Sequence, residues 1–407
     1  MSIKKKVIIF TCTGGHTTAA QAIEEYLCNT YDIVTINIFS NTLRKKDLVR
    51  WLTFFKYGSE DIYNWFLKNR KYHFINRWLL KAHGYYRIIS KAVFSCINKQ
   101  IQDERPVLII SVIPLFNGHI LRAAHKQNIP FLLIPTDIDL TTFLEGVNNP
   151  VYPYFTIGLM VESDYSRAVL KKAGISQKNI EVIGPVLRED FFYPKDIAEI
   201  RRAYGILPAK RVILLAMGSQ GSVSILSFCQ MLSTITIPVH LLIVLGKNTM
   251  LRPAIERIVF PHAISITILD FTKNMSDLMA VADLLITKSG GMSVMEGVGM
   301  HLPMLLDATT EVIVWEQANQ NFVIEKKLGF AIKKVEHIKQ YVESMLLVDK
   351  IENCSVHFAK LCLRIAPDEV QRLVKNMIEY TLPNKKDFYI KHKISTLAAH
   401  SQKERLL

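Results

Sequence analysis

The chain lacks any run of eighteen or more apolar residues, so no segment reads as a membrane-spanning helix. Its six cysteines (Cys12, Cys28, Cys96, Cys229, Cys354 and Cys362) form no CxxC pair and no cluster with histidine. That scatter argues against a zinc site and against a disulfide framework, and predicts free thiols in a reducing compartment. No secretory leader is expected either. The opening MSIKKKVIIF is basic and then apolar, but the apolar run is short and leads straight into a glycine turn, so it reads as a first strand. Acidic residues are the scarcer charge, 36 Asp and Glu against 50 Lys and Arg, leaving a formal net charge of +14. With 49% apolar residues in 407, wholesale disorder is excluded and two domains can each bury a core.

The excess positive charge is concentrated. Between Arg44 and Gln100 stand 13 Lys or Arg and 3 Asp or Glu, and 13 of the 39 aromatic residues lie between Trp51 and Phe94. Basic residues interleaved with Trp and Tyr suit an anionic membrane surface, where aromatic rings settle at headgroup level. Each Lys or Arg there contributes about 1 kcal/mol. Trp51, Trp65, Trp78, Lys68, Arg70 and Lys71 are the candidate surface residues. The competing reading puts the aromatics in a core and the lysines in solvent. Nucleic-acid binding wants similar residues, but no recognition motif accompanies them, and no nucleic-acid partner is expected. Ile88, Ile89, Val93, Ile97 and Ile101 recur at helical spacing and predict one buried stripe.

Elsewhere, apolar strand-like runs such as Val107–Ile110, Val212–Ala216 and Leu241–Leu245 alternate with helical segments. That order predicts an α/β fold with parallel sheets and crossover helices. Glycine turns near residues 13 and 218 each follow a strand, so two doubly wound domains are expected, over 1–190 and 191–381. A closing helix is expected over 366–380. A basic tail, 382–407, follows without a core stripe.

The richest segment runs from Asp283 to Phe322. The strand Leu284–Thr287 enters Lys288-Ser289-Gly290-Gly291, and a helix begins at once with Met292 and Ser293. Freed backbone N–H groups and the positive helix end make such a turn an anion site. A lone Gly-Gly turn is ordinary strand-to-helix chemistry; here Glu296 follows one turn along, placed to accept from a pair of sugar hydroxyls. Glu316, Asn319 and Gln320 then bunch at the start of another helix. Phosphate, ribose and a further hydroxylated group could all be read, which describes a nucleotide-sugar.

Further motifs stand in order: Thr13-Gly14-Gly15-His16; Thr136-Asp137; Gly184-Pro185-Val186-Leu187-Arg188; Gly218-Ser219-Gln220-Gly221; Gly246-Lys247-Asn248; and Phe271 to Met275. Together, over roughly residues 5 to 335, they resemble the monogalactosyl-diacylglycerol synthases and processive diacylglycerol glucosyltransferases. The N-acetylglucosaminyltransferase that makes lipid II is a sister of these. The resemblance implies a GT-B architecture, two Rossmann-like domains facing a cleft. It implies transfer of a hexose from a UDP-sugar to a membrane lipid of diacylglycerol type, with inversion and no metal or other cofactor. The enzyme would sit peripherally on the cytoplasmic face of a membrane.

The resemblance assigns the donor site to Arg188, Gly218, Ser219, Gln220, Asn248, Phe271, Met275, Ser289, Gly290, Gly291, Met292, Ser293, Glu296, Glu316, Asn319 and Gln320. It gives Gly14 and Gly15 to the acceptor loop, with His16 and Asp137 as candidate general bases. Some acceptor-side positions depart from the family. Thr11 stands where an aspartate is usual, Ile113 where a histidine precedes Pro114, and Thr141 near a further histidine. The proline at Pro185 is displaced by one. These departures keep two alternatives open: another acceptor such as a polyprenyl-diphosphate sugar, or a catalytically silent protein binding UDP-sugar or membrane.

Overall fold

The computed structural model describes residues 4–54, 56–148 and 152–381, with side chains at all of these except 78–80, 83 and 348–353. Two six-stranded sheets form the frame. The first contains β1 (Lys6–Thr11), β2 (Asp32–Asn37), β3 (Leu108–Ser111), β4 (Phe131–Leu133), β5 (Phe155–Leu159) and β6 (Ile180–Val182), in the order β2-β1-β3-β4-β5-β6. The second contains β7 (Arg211–Ala216), β8 (Val239–Val244), β9 (Ile264–Leu269), β10 (Leu284–Thr287), β11 (Met304–Asp307) and β12 (Gly329–Ile332), ordered β12-β11-β10-β7-β8-β9. Every pairing is parallel. Strands covered on both faces by helices must be apolar throughout, and β3, β8, β10 and β11 are buried at every position. One apolar core runs through both sheets, from Val7 and Ile9 to Leu214 and Leu285.

The expected parallel α/β architecture is what forms. The helix at 366–381 packs back across the first sheet: Gln371 Nε2 donates to the Tyr26 carbonyl at 2.8 Å, and Arg372 pairs with Glu181 of β6 at 3.3 Å. The basic tail 382–407 lies outside the described residues.

Between β2 and β3 the chain makes four helices, Leu48–Leu52, Ser59–Lys68, Tyr72–Ile88 and Ser90–Glu104. Asp47, 4% exposed, orders the entry to two of them. It accepts from Val49 N–H at 3.0 Å, Ser59 N–H at 2.8 Å and Ser59 Oγ at 2.6 Å. The predicted apolar stripe needs one correction. The Tyr72 helix stops at Ile88, which is 85% exposed, and the buried stripe is carried by Val93, Ile97 and Ile101 on the next helix. The bend at Ile89 breaks the 3.6-residue phase that ran through the sequence.

On the same insertion Phe54 is 93% exposed and Trp51 72%, and Trp65 and Phe74 are also exposed. The Trp78 side chain lies outside the described residues. Arg70 departs from the surface assignment. Its side chain is only 15% exposed and turns inward, donating from Nη2 to Asp307 Oδ1 at 3.3 Å, Thr309 Oγ1 at 2.7 Å and Thr310 Oγ1 at 2.9 Å. Three acceptors at the end of β11 outcompete solvent for the guanidinium, so Arg70 fastens the insertion to the second sheet.

Candidate functional site

In open parallel sheets, ligands bind beyond the carboxyl ends of the strands, where the strand order reverses. In the second sheet that point lies between β7 and β10, and in the first between β1 and β3. The two switch points face each other.

The donor-side turn follows β10. Gly291 opens the helix Gly291–Gly299, and Lys288, just before it, reaches the turn after β7. Its Nζ stands 3.8 Å from where a Cβ at Gly218 would be. Burial pulls the Lys288 ammonium below its ordinary pKa, opposed by Glu316 and Asp307. Burial pushes the Glu316 carboxyl up to about 7, against the pull of Lys288. Glu296 is likewise raised to about 7 by burial, with Arg188 pulling it back. Arg188 pairs with Asp190 at 3.3 Å and donates to the Lys273 carbonyl at 2.6 Å, so it bridges the segment between the sheets and the turn after β9. Phe271 and Met275 border that turn, with Lys247 Nζ 5.9 Å from the Phe271 ring. Ser219 is exposed in the β7 turn, and its carbonyl accepts from Lys247 N–H at 2.9 Å. Asn248 is buried beneath that turn.

Three buried polar atoms of these residues have no hydrogen-bond partner among the described residues: Ser289 Oγ, Gln320 Oε1 and Asn248 Nδ2. Native interiors leave few such groups, so these three, after β10, after β8 and on the helix Gln317–Glu325, are open to bonding by outside atoms.

On the acceptor side His16 opens the helix Gly15–Leu27. Its Nδ1 lies 2.9 Å from the Val112 carbonyl, which can only accept, so Nδ1 carries the proton and Nε2 is left with a bare lone pair. Thr136 Oγ1 lies 2.8 Å from the same nitrogen and donates to Asp137 Oδ2 at 3.4 Å. Burial lowers His16 to about 4 and raises Asp137 to about 6, so at neutral pH the imidazole is neutral and the carboxyl mostly ionised.

The two sides meet through Asn319 and Gly291. Asn319 accepts from Ile138 N–H at 2.8 Å and donates to Asp137 Oδ1 and to the Ser289 carbonyl, both at 2.9 Å. It is fully buried with its amide bonded to protein partners across the seam. Asp137 also accepts from the Gly291 N–H. Its oxygens therefore already accept three hydrogen bonds from the protein. Gly291 is required here: a Cβ would run into the Thr136 carbonyl and Asp137. Met292 in turn packs on Gly15, where a Cβ would come within 2.8 Å of Met292 Cγ.

The helix Ser59–Lys68 contributes residues that the motifs did not reveal. Glu60 accepts from the Thr13 N–H at 2.9 Å and from Asn37 Nδ2 at 3.0 Å, and Asn64 exchanges hydrogen bonds with the Thr13 hydroxyl. The only signal in the sequence is the spacing of Glu60, Tyr63 and Asn64, three and four apart on one helix face. Among the described residues no group of three or more His, Cys, Asp or Glu side chains is placed to hold a metal ion.

A fold of two facing doubly wound units, each with a glycine turn at its switch point, is the GT-B architecture of glycosyltransferases, and solved structures agree. The chain matches MurG of Acinetobacter baumannii with a TM-score of 0.62 at 13% identity, covering 92% of this chain and 99% of that one. It matches UGT89C1 of Arabidopsis thaliana complexed with UDP with a TM-score of 0.59 at 12% identity, covering 92% and 100%. Two family models narrow the class. Residues 16–187 match the monogalactosyldiacylglycerol (MGDG) synthase model, and residues 212–352 match the glycosyltransferase family 28 C-terminal domain. A processive diacylglycerol beta-glucosyltransferase of Bacillus licheniformis is 26% identical over 297 residues, 73% of this chain and 70% of that one. The two halves of the chain thus each match a glycosyltransferase family model, and the chain is a glycosyltransferase.

Proposed function

We propose that this protein transfers a hexose, with inversion, from a UDP-sugar to the hydroxyl of a diacylglycerol-type lipid. The observation that carries the reading is the meeting of the two turns. One side presents Lys288, the Gly291 helix end, Glu296 and Glu316; the other presents His16 with its Nε2 bare. The names and contents of the matched glycosyltransferases support the same donor and acceptor. In the step itself, the lipid hydroxyl oxygen bonds to the anomeric carbon while the bond from that carbon to the diphosphate oxygen breaks. The leaving diphosphate departs with the electron pair, and the hydroxyl proton passes to His16 Nε2. Geometry favours His16: the Asp137 oxygens already accept from Asn319, Thr136 and the Gly291 N–H, whereas Nε2 of His16 has a free lone pair. Lys288 and the helix dipole meet the charge that builds on the diphosphate, so no metal is needed.

The exposed Trp51, Phe54 and Trp65, with Lys68 and Lys71 beside them, would seat the enzyme reversibly on an anionic membrane at its cytoplasmic face. No helix among the described residues is long and apolar enough to cross a membrane. The test is incubation with radiolabelled UDP-glucose, UDP-galactose and UDP-N-acetylglucosamine, each with diacylglycerol vesicles, with and without EDTA. Labelled lipid from one donor, insensitive to EDTA, is expected. Saturable UDP binding with no labelled lipid would redirect the search to another acceptor or a silent protein. No UDP binding at all would end the reading.

A further inference from the structure

In the acceptor half Thr11, Ile113 and Thr141 carry neither a carboxylate nor an imidazole, which leaves a gap that groups from elsewhere in the fold can fill. The Ser59–Lys68 helix is laid directly over this gap. Its Glu60 and Asn64 are pinned to Thr13 of the glycine turn, three residues before His16. Tyr63 lies on the same face, between them.

The ring of Tyr63 packs on Tyr72, Ile75 and Ile313, and Ile313 begins the short path to Glu316 on the donor side. Tyr63 thus spans from the acceptor turn to the donor half. Its hydroxyl has no hydrogen-bond partner among the described residues, although it is half-buried and its helix neighbours Glu60 and Asn64 are both bonded. Burial raises its pKa well above the ordinary tyrosine value, reinforced by the charge of Glu316, the thiol of Cys12, the charge of Asp137 and Tyr72. It is therefore a neutral phenol at any working pH. The bare His16 nitrogen and the Asp137 and Glu316 carboxylates are acceptors; a phenol adds a donor, and a hydroxylated substrate needs both.

We propose that Tyr63 contacts the acceptor: its phenol O–H donates a hydrogen bond to an oxygen of the lipid headgroup next to the reacting hydroxyl, fixing that hydroxyl before His16. This rests on the transfer reaction proposed above. Tyr63 breaks no covalent bond and moves no proton in the step; it orients.

The experiment compares Tyr63→Phe with wild type in the full chain. It follows transfer from the active UDP-sugar to diacylglycerol vesicles, slow hydrolysis of the same UDP-sugar by water, UDP affinity by calorimetry, and melting temperature. The expected result is a loss of tenfold or more in kcat/KM for the lipid, with hydrolysis, UDP affinity and melting temperature unchanged. Transfer equal to wild type overturns the proposal. So does a parallel fall in hydrolysis, UDP affinity or melting temperature, which would make Tyr63 a donor-side or structural residue. A wild-type chain that binds UDP yet labels no lipid defeats the underlying reaction, and the assignment of Tyr63 with it.

Discussion

The two glycine turns face each other but are built differently. The turn after β10 gathers its chemistry from one stretch of chain: Lys288, Ser289, Gly290, Gly291 and Glu296 lie within nine positions. The turn after β1 brings only His16 of its own and borrows everything else. Val112 sets the imidazole, Thr136 links it to Asp137, and Glu60 and Asn64 hold the turn from a helix almost fifty residues away. Motif density therefore measures where a site's residues come from along the chain, and says little about how many there are.

The sharpest way to break this contrast is His16→Ala. Loss of a positioned base should cost about 10²–10⁴-fold in transfer rate, while UDP affinity stays as it was because the donor turn is untouched. If transfer survives, the acceptor turn has no base at this position. Next in size is Gly291→Ala. The added methyl meets the Thr136 carbonyl and Asp137, so the two turns must separate by a fraction of an ångström or more. Misplacement on that scale costs about a hundredfold in turnover. An unaltered rate would mean the observed seam is not the catalytic arrangement.

Arg70→Ala should have a smaller effect, about tenfold in kcat/KM, from the loss of charge-assisted hydrogen bonds worth roughly 1.5–3 kcal/mol. Arg70→Lys should recover part of it, because a lysine can satisfy Asp307 but not the two threonines together. Were Arg70→Ala to release the protein from vesicles with activity in detergent intact, Arg70 would belong to the surface after all.

The smallest effect concerns Glu296. Its folded pKa is raised to about 7 from an ordinary 4.5, so the folded state binds the proton more tightly. Stability from this group is full below pH 4.5 and is lost as pH rises through 7. Melting temperature should fall between pH 5 and pH 8, and Glu296→Gln should shrink that fall by about 2–4 °C. An identical pH slope in both proteins would place Glu296 in solvent.

Much of the frame could be read from the chain. Buried strands such as β10 appear as unbroken apolar runs, and a glycine turn between strand and helix is a local event with a local cause. The surroundings of Arg70, Asn319 and Ile88 are not legible in the sequence, for one shared reason. Each was judged by its neighbours in sequence, whereas its environment is set by a distant segment or by a bend at a single residue. Asn319 looked like ligand chemistry because it is polar in a polar cluster; only the approach of Ile138 and Asp137 shows that its amide is already spent. Tyr63 lay unnoticed among thirteen aromatics whose composition suggested a membrane.

The Asp137 carboxylate on the Gly291 N–H has a consequence for binding. A helix end suited to a diphosphate is met by an anion belonging to the protein itself. The carboxylate acts as a tethered competitor, present at an effective concentration that no dilution lowers. On the donor site proposed above, a nucleotide would have to displace it, and its observed affinity would be reduced by the fraction of molecules in which Asp137 is seated. Turnover would be served by the same competition: a product that cannot bind too tightly would leave, and the carboxylate would return to the place it vacates.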